Sequence, residues 1–76
     1  MPKRKQKEGE TMFKIGELVK ICRAQAGLTQ VELATRAHTT AGYIGEVEKC
    51  KVVPRVDWLE TVLNVCGYEL GIREKL

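Results

Sequence analysis

The sequence predicts an all-α domain of four to five helices followed by a short C-terminal strand. Three observations predict it. Apolar residues recur at steps of three and four through most of the chain. The segments drawn this way are bounded by helix start and stop residues, with Thr29 and Thr40 ahead of two of them and Gly27 and Gly67 behind two. Aromatic side chains are few (Phe13, Tyr43, Trp58 and Tyr68), and β-branched residues are sparse in the first half, which favours helix over strand.

The elements follow in order. Residues 1–11 are polar and charged, with Pro2 and Gly9 and no periodicity, and read as a disordered basic arm. From Phe13 an apolar stripe runs through Ile15, Leu18, Val19, Cys22 and Ala26, and Gly27 stops that helix. Thr29-Gln30-Val31-Glu32 is a capping box in which Thr29 and Glu32 each satisfy an orphan amide of a second helix, whose Leu33, Ala34 and Ala37 face inward. His38 and Thr39 form a short turn. Thr40 caps a third helix that turns Ile44 and Val47 inward. Lys49 to Val53 is a loop closed by Pro54. The fourth helix carries Val56, Leu59, Val62, Leu63 and Cys66. Arg55 is a poor cap for it, and Asp57 with Glu60 can form a box one turn late. Beyond Gly67 the period changes: Tyr68, Leu70 and Ile72 alternate with Glu69, Gly71 and Arg73, a strand signal weakened by Gly71. A lone strand leaves its amides and carbonyls unpaired, so its partner is expected from the same segment of an identical subunit. The other reading of this tail is a frayed end or one more helical turn. The chain thus divides into an arm at 1–11, a folded domain at 12–67 and a dimerisation tail at 68–76.

Seventy-six residues bound the chain to one domain with a small core. The formal charge is +3. Lys3, Arg4, Lys5 and Lys7 against Glu8 and Glu10 give the arm +2 of that, so the body is nearly neutral and any basic surface there must come from local clustering. Cys22, Cys50 and Cys66 have no CxxC spacing, and Cys22 and Cys66 fall on apolar stripes, so they read as small buried hydrophobes rather than disulfide partners. With a single His, a zinc site of ordinary spacing is absent. Neither a secretory leader nor a membrane span is visible, which predicts a cytoplasmic protein. No Ser/His/Asp set or phosphate loop is present, so no catalysis, cofactor, metal or small-molecule substrate is expected.

Two short helices joined by a three- to four-residue turn form a helix-turn-helix unit. Ala34 and Gly45 supply the small residues its helix crossing needs, and Leu33, Ile44 and Val47 lock the second helix on the first. The run Ile15-Gly16-Glu17 to Arg23, then Gly27-Leu28-Thr29-Gln30, Leu33-Ala34, Ile44, Val47-Glu48 and Pro54, resembles the XRE family over residues 13–67. That family includes phage Cro and repressor proteins, restriction-modification controllers and many antitoxins. The resemblance implies a lambda-repressor-like fold and a homodimer bound to double-stranded DNA. It also implies roles for matching residues. Arg23 would pair with Glu48. Gln30 would stand near the DNA backbone and buttress the reading helix. Thr29 and Thr40 would offer helix N-termini to phosphates. Ala41, Gly42, Tyr43 and Glu46 would line the outward face of the reading helix, and Lys49 and Lys51 would contact phosphates behind it. Tyr68, Leu70 and Ile72 would join the subunits.

Three positions depart from the family pattern. His38 and Cys50 stand where Gly is usual, so His38 is read as a turn residue that tolerates positive φ, and Cys50 strains its cap. Thr39 replaces a usual hydrophobe, which predicts a less well packed turn. The reading face is poor in the residues that pair with base edges, so specificity falls to Tyr43, the capped helix starts, the arm in a minor groove and DNA shape. Tyr43 has a plainer reading as surface packing, and the arm as a solvated tail. The leading expectation is a transcriptional repressor. The short body with an alternating end resembles the HipB-like and HigA-like antitoxins, which adds a toxin as a possible partner. A phage repressor or restriction-modification controller would share the same core. A helix-turn-helix scaffold used for protein–protein contact is the alternative from another class.

Overall fold

The computed structural model describes residues 14–71. They form four helices: α1 (Ile15–Gln25), α2 (Gln30–Ala37), α3 (Ala41–Glu48) and α4 (Val56–Val65). No fifth helix and no strand occur among the described residues. The basic segment 1–11 and Phe13 lie outside them.

The caps follow the local sequence. Thr29 Oγ1 accepts from the Glu32 amide at 3.0 Å, and Glu32 Oε1 accepts from the Thr29 amide at 2.9 Å, which completes the capping box of α2. Thr40 Oγ1 accepts from the Tyr43 amide at 3.1 Å and starts α3. The box expected at Asp57 and Glu60 does not form. Asp57 sits inside the first turn of α4, and its carboxylate accepts from the adjacent Trp58 amide at 2.8 Å.

All four helices end by one device. A residue of positive φ reverses the chain, and the next amide donates to the carbonyl five residues back. The four bonds run from Leu28 to Arg23, Thr39 to Ala34, Lys51 to Glu46 and Tyr68 to Leu63, at 2.8–3.2 Å. Gly27 and Gly67 supply the positive φ behind α1 and α4. His38 (φ 58°) and Cys50 (φ 62°) supply it behind α2 and α3, where an L side chain crowds the following carbonyl.

One core serves the whole domain. Val19 and Cys22 of α1, Leu33, Ala34 and Ala37 of α2, Ile44 and Val47 of α3, Leu59, Val62 and Leu63 of α4, and Cys66 at the C-cap of α4 are buried together. Burial pushes the Cys22 and Cys66 thiols above their ordinary pKa, so both remain protonated and behave as apolar side chains. All three cysteines are free.

The tightest contact lies between α1 and α3. Gly16 is buried in the first turn of α1, and a Cβ built there would sit 2.0 Å from the Val47 carbonyl oxygen and 2.8 Å from Cys50 Sγ. Only a residue without a side chain lets the two backbones come this close.

The structure corrects the sequence reading at several points. Ile15 is 41% exposed and Val56 68% exposed, although both fall on apolar stripes. Val56 faces the same way as Leu59, but α4 begins there and no described residue covers it. Together with Leu59, Glu60, Leu70 and Gly71 it borders an open groove of about 350 Å³. Ala26 forms the exposed C-cap of α1. The strand expected from Tyr68, Leu70 and Ile72 is not seen: Tyr68 to Gly71 is irregular, and Ile72 lies outside the described residues. Among the described residues, Tyr68 and Leu70 find partners within their own chain. Gly67 turns the segment back, the Tyr68 hydroxyl donates to Gln25 Oε1 at 2.5 Å, and Leu70 packs on the core. Thr39 does not loosen its turn. Its Oγ1 accepts from Trp58 Nε1 at 3.1 Å.

Two stability changes of opposite sign are expected. Gly16→Ala should cost about 1–3 kcal/mol, because the α1–α3 contact must open to admit a methyl group. Cys50→Gly should gain about 1 kcal/mol by releasing the left-handed strain behind α3. Thermal melts of the two variants check both, and a Gly16→Ala protein melting with its parent would refute the close contact.

Candidate nucleic-acid interface

The candidate interface is built on α2, the turn His38–Thr40, and α3. The α3 segment AGYIGEVE is short and intrinsically weak. It contains Gly42 and Gly45, each of which costs about 1 kcal/mol relative to Ala in a helix. Its position is therefore set by neighbours. Ile44 and Val47 are fully buried, and Gly45 faces the Gln30 side chain, which would lie 3.7 Å from an added Cβ.

A polar knot holds the far end of α3. Arg23 at the end of α1 grips Glu48 with two bonds, Nε to Oε2 at 2.7 Å and Nη2 to Oε1 at 3.1 Å. Its remaining nitrogen, Nη1, donates to the Leu28 carbonyl at 2.9 Å. Gln30 Nε2 donates to Glu48 Oε1 at 3.0 Å. The side chains of Arg23 and Glu48 are 16% and 5% exposed. Burial by itself would raise the Glu48 pKa. The hydrogen bonds from Arg23 and Gln30, with the Arg23 charge, outweigh it and hold the carboxyl below its ordinary value. Glu48 in turn keeps the guanidinium more firmly protonated. Gln30 thus reaches α3 through Glu48.

The outward stripe of α3 is Gly42, Glu46 and the capping residue Lys49, at steps of four and three, all exposed. Thr29, Thr40 and Lys51 are exposed as well. Ala41 and Tyr43 are not fully outward. Both are half-buried and pack on the core, and the Tyr43 ring meets Trp58 edge to face with centroids 5.0 Å apart and planes at 86°. The plainer reading of Tyr43 as packing therefore describes a large part of its surface.

Two residues that shape this site have no role in the sequence reading, Gly16 being named there only within the run that resembles the family. Gly16 gave no periodic signal, since a glycine in a stripe of Ile and Leu looks like a gap. Trp58 was legible only as one of four aromatics. The available hint was that a half-buried indole N–H needs an acceptor.

Residues 14–75 match a family model described as a helix-turn-helix domain. The chain belongs to that helix-turn-helix domain family. An immunity repressor protein of Bacillus phage phi105 is 30% identical over 57 residues, which is 75% of this chain and 40% of that protein. The helix-turn-helix chain therefore spans less than half the length of that relative. Among its described residues no three His, Cys, Asp or Glu side chains come together, and no helix is long and apolar enough to cross a membrane.

The knot fixes a pH dependence. A carboxyl held below its ordinary pKa adds stability that is complete above its unfolded value, near 4.5, and is lost as pH falls through the lower folded value. Glu48→Ala should cost about 3 kcal/mol at neutral pH, because it strands the Arg23 charge. It should also flatten the fall in stability below about pH 4.5. Denaturant titrations at pH 7 and pH 3 test this, and a variant whose loss is the same at both would contradict the pairing.

Proposed function

We propose that this chain is a transcriptional repressor that binds double-stranded DNA as a homodimer, with α3 in the major groove. The observation that carries the reading is the pose of α3. Its inner side is fixed by Ile44, Val47 and the Glu48 knot, while Gly42, Glu46 and Lys49 stand free on the opposite side. A helix held this way can enter a groove without spending its own contacts. The helix-turn-helix family membership and the similarity to a phage immunity repressor support the same reading.

Each exposed residue then has a task. Gly42 lets the helix backbone come close to the base edges. Glu46 accepts from a cytosine amine. Tyr43, with Ala41 beside it, offers apolar contact to a thymine methyl. Thr29, Gln30 and Thr40 present the starts of α2 and α3 to phosphates. Lys49 and Lys51 neutralise phosphates at the far end, and Lys3, Arg4, Lys5 and Lys7 add cations from the arm. An eight-residue helix with so few base-reading groups gains specificity by pairing with a second copy across a two-fold site. A cytoplasmic setting follows from this role.

The variant of this reading with a toxin partner leaned on an alternating C-terminal segment. With Tyr68 and Leu70 folded onto their own chain, the free repressor is preferred. One observation favours a protein-contact scaffold instead: Gly42 and Glu46 on the outer stripe are poor readers of DNA. Tight duplex binding that weakens steeply with salt would exclude it.

A binding selection on random duplexes is the deciding experiment. It should return inverted half-sites about 34–36 Å apart. Enrichment of no duplex, or of half-sites on opposite faces of the helix, would overturn the reading. On the selected site, replacing Lys49 and Lys51 by Gln should weaken binding to all sequences alike. It should lower the slope of log affinity against log salt by about 1 for each lysine.

A further inference from the structure

Trp58 lies on α4, outside the helix-turn-helix unit, yet both specific contacts of its side chain fall on residues 39–43, the turn and the start of α3. Its Nε1 donates to Thr39 Oγ1 at 3.1 Å, in the turn between α2 and α3. Its ring packs against Tyr43, edge to face at 5.0 Å. Between these two contacts stands Thr40, whose hydroxyl caps α3 through the Tyr43 amide. The start of α3 is therefore held from two sides, by its own cap and by a side chain from a different helix.

This part of α3 needs an outside hold. The Arg23–Glu48–Gln30 knot secures only the far end. Gly42, next to Tyr43, has nothing within 4 Å of an added Cβ and so contributes no packing. Tyr43 is the one large side chain on the first turn of α3, and a tyrosine ring swings freely about two torsions unless something stops it. A hydrogen bond is directional and an edge-to-face aromatic pair is angular, so together they fix a position and an orientation.

We infer that Trp58 is a positioning residue for DNA reading: it braces the turn at Thr39 and orients the Tyr43 ring, so that α4 sets which sequences α3 accepts. The inference rests on the DNA-binding reading above and extends it to a residue outside the reading helix. Its consequence is separable from stability. A residue that merely fills the core changes affinity for every duplex in proportion to the folded fraction, whereas a brace changes the ratio between the selected site and a scrambled duplex.

The test uses the full chain and four variants: Trp58→Phe, which keeps a ring but removes the donor; Thr39→Val, which removes the acceptor at equal volume; the two together; and Thr39→Ser, which keeps the hydroxyl. Affinities for the selected site and for a scrambled duplex are measured at one salt concentration, beside thermal melts. Trp58→Phe and Thr39→Val should each lower the ratio by roughly three- to tenfold, the range of one hydrogen bond. The double variant should lose no more than the worse single, and Thr39→Ser should keep the parent ratio. A ratio unchanged in both singles, or multiplied losses in the double, overturns the brace. The indole N–H resonance of the free protein gives a second readout. It should move in Thr39→Val, and an unmoved resonance overturns the contact itself. A parent chain that binds no duplex refutes the DNA reading, and this inference with it. Parent discrimination that survives both substitutions refutes the brace alone.

Discussion

Glu48 is placed where a carboxylate is least welcome. It is the last residue of α3, at the negative end of the helix dipole, and its side chain is almost wholly buried. Left alone there it would open the structure. Arg23 makes it tolerable by closing a two-bond fork on it, and Gln30 fills a remaining lone pair. Because Arg23 belongs to α1, Gln30 to α2 and Glu48 to α3, satisfying that single charge fixes three helices relative to one another. Arg23 also holds the Leu28 carbonyl, which adds the α1–α2 link to the same constraint. An apolar cluster of this size would bring the helices together without dictating one angle; the directional bonds of the knot supply that angle.

Steric necessity complements it. With Gly16 against the Val47 carbonyl, α1 and α3 touch backbone to backbone, and Cys50 closes the same corner from the end of α3. The chemistry at one end of α3 is thus doubly determined, by charge and by close approach, while its start depends on the softer contacts of Thr39, Tyr43 and Trp58. The helix is anchored at its tail by a buried charge and at its head by its own cap and the Trp58 side chain.

Much of this was legible in the sequence because it is local. Thr29 with Glu32, and Thr40 ahead of Tyr43, mark helix starts by a side chain bonding an amide three residues on. His38 and Cys50, standing at helix ends where glycine is usual, announced left-handed backbone. Leu33, Ile44, Val47, Val62 and Leu63 follow the helical period into the core. What was not legible depends on what lies across the fold. Val56 keeps the period of α4 but is left exposed among the described residues, and no pattern within the helix reveals that. The alternation of Tyr68, Leu70 and Ile72 looks like a strand, yet Tyr68 is claimed by Gln25, a residue 43 positions away. Trp58 and Thr39 are separated by 19 positions, and neither implies the other until the helices are packed. The Arg23–Glu48 pair is as distant in sequence. It was read from a resemblance, since no spacing rule links residues 25 apart.

The exposure of Cys50 bears on practical handling of the protein. Cys22 and Cys66 are buried, which leaves Cys50 as the one cysteine at the surface, directly behind α3 with its sulfur beside Gly16. A maleimide dye or nitroxide would therefore attach at one place and report on that end of α3 without any engineering. The same sulfur lets two molecules become covalently linked on standing in air. A band of doubled mass on a non-reducing gel would then record chemistry at one side chain, and only material kept under reductant can reveal whether two copies associate without it.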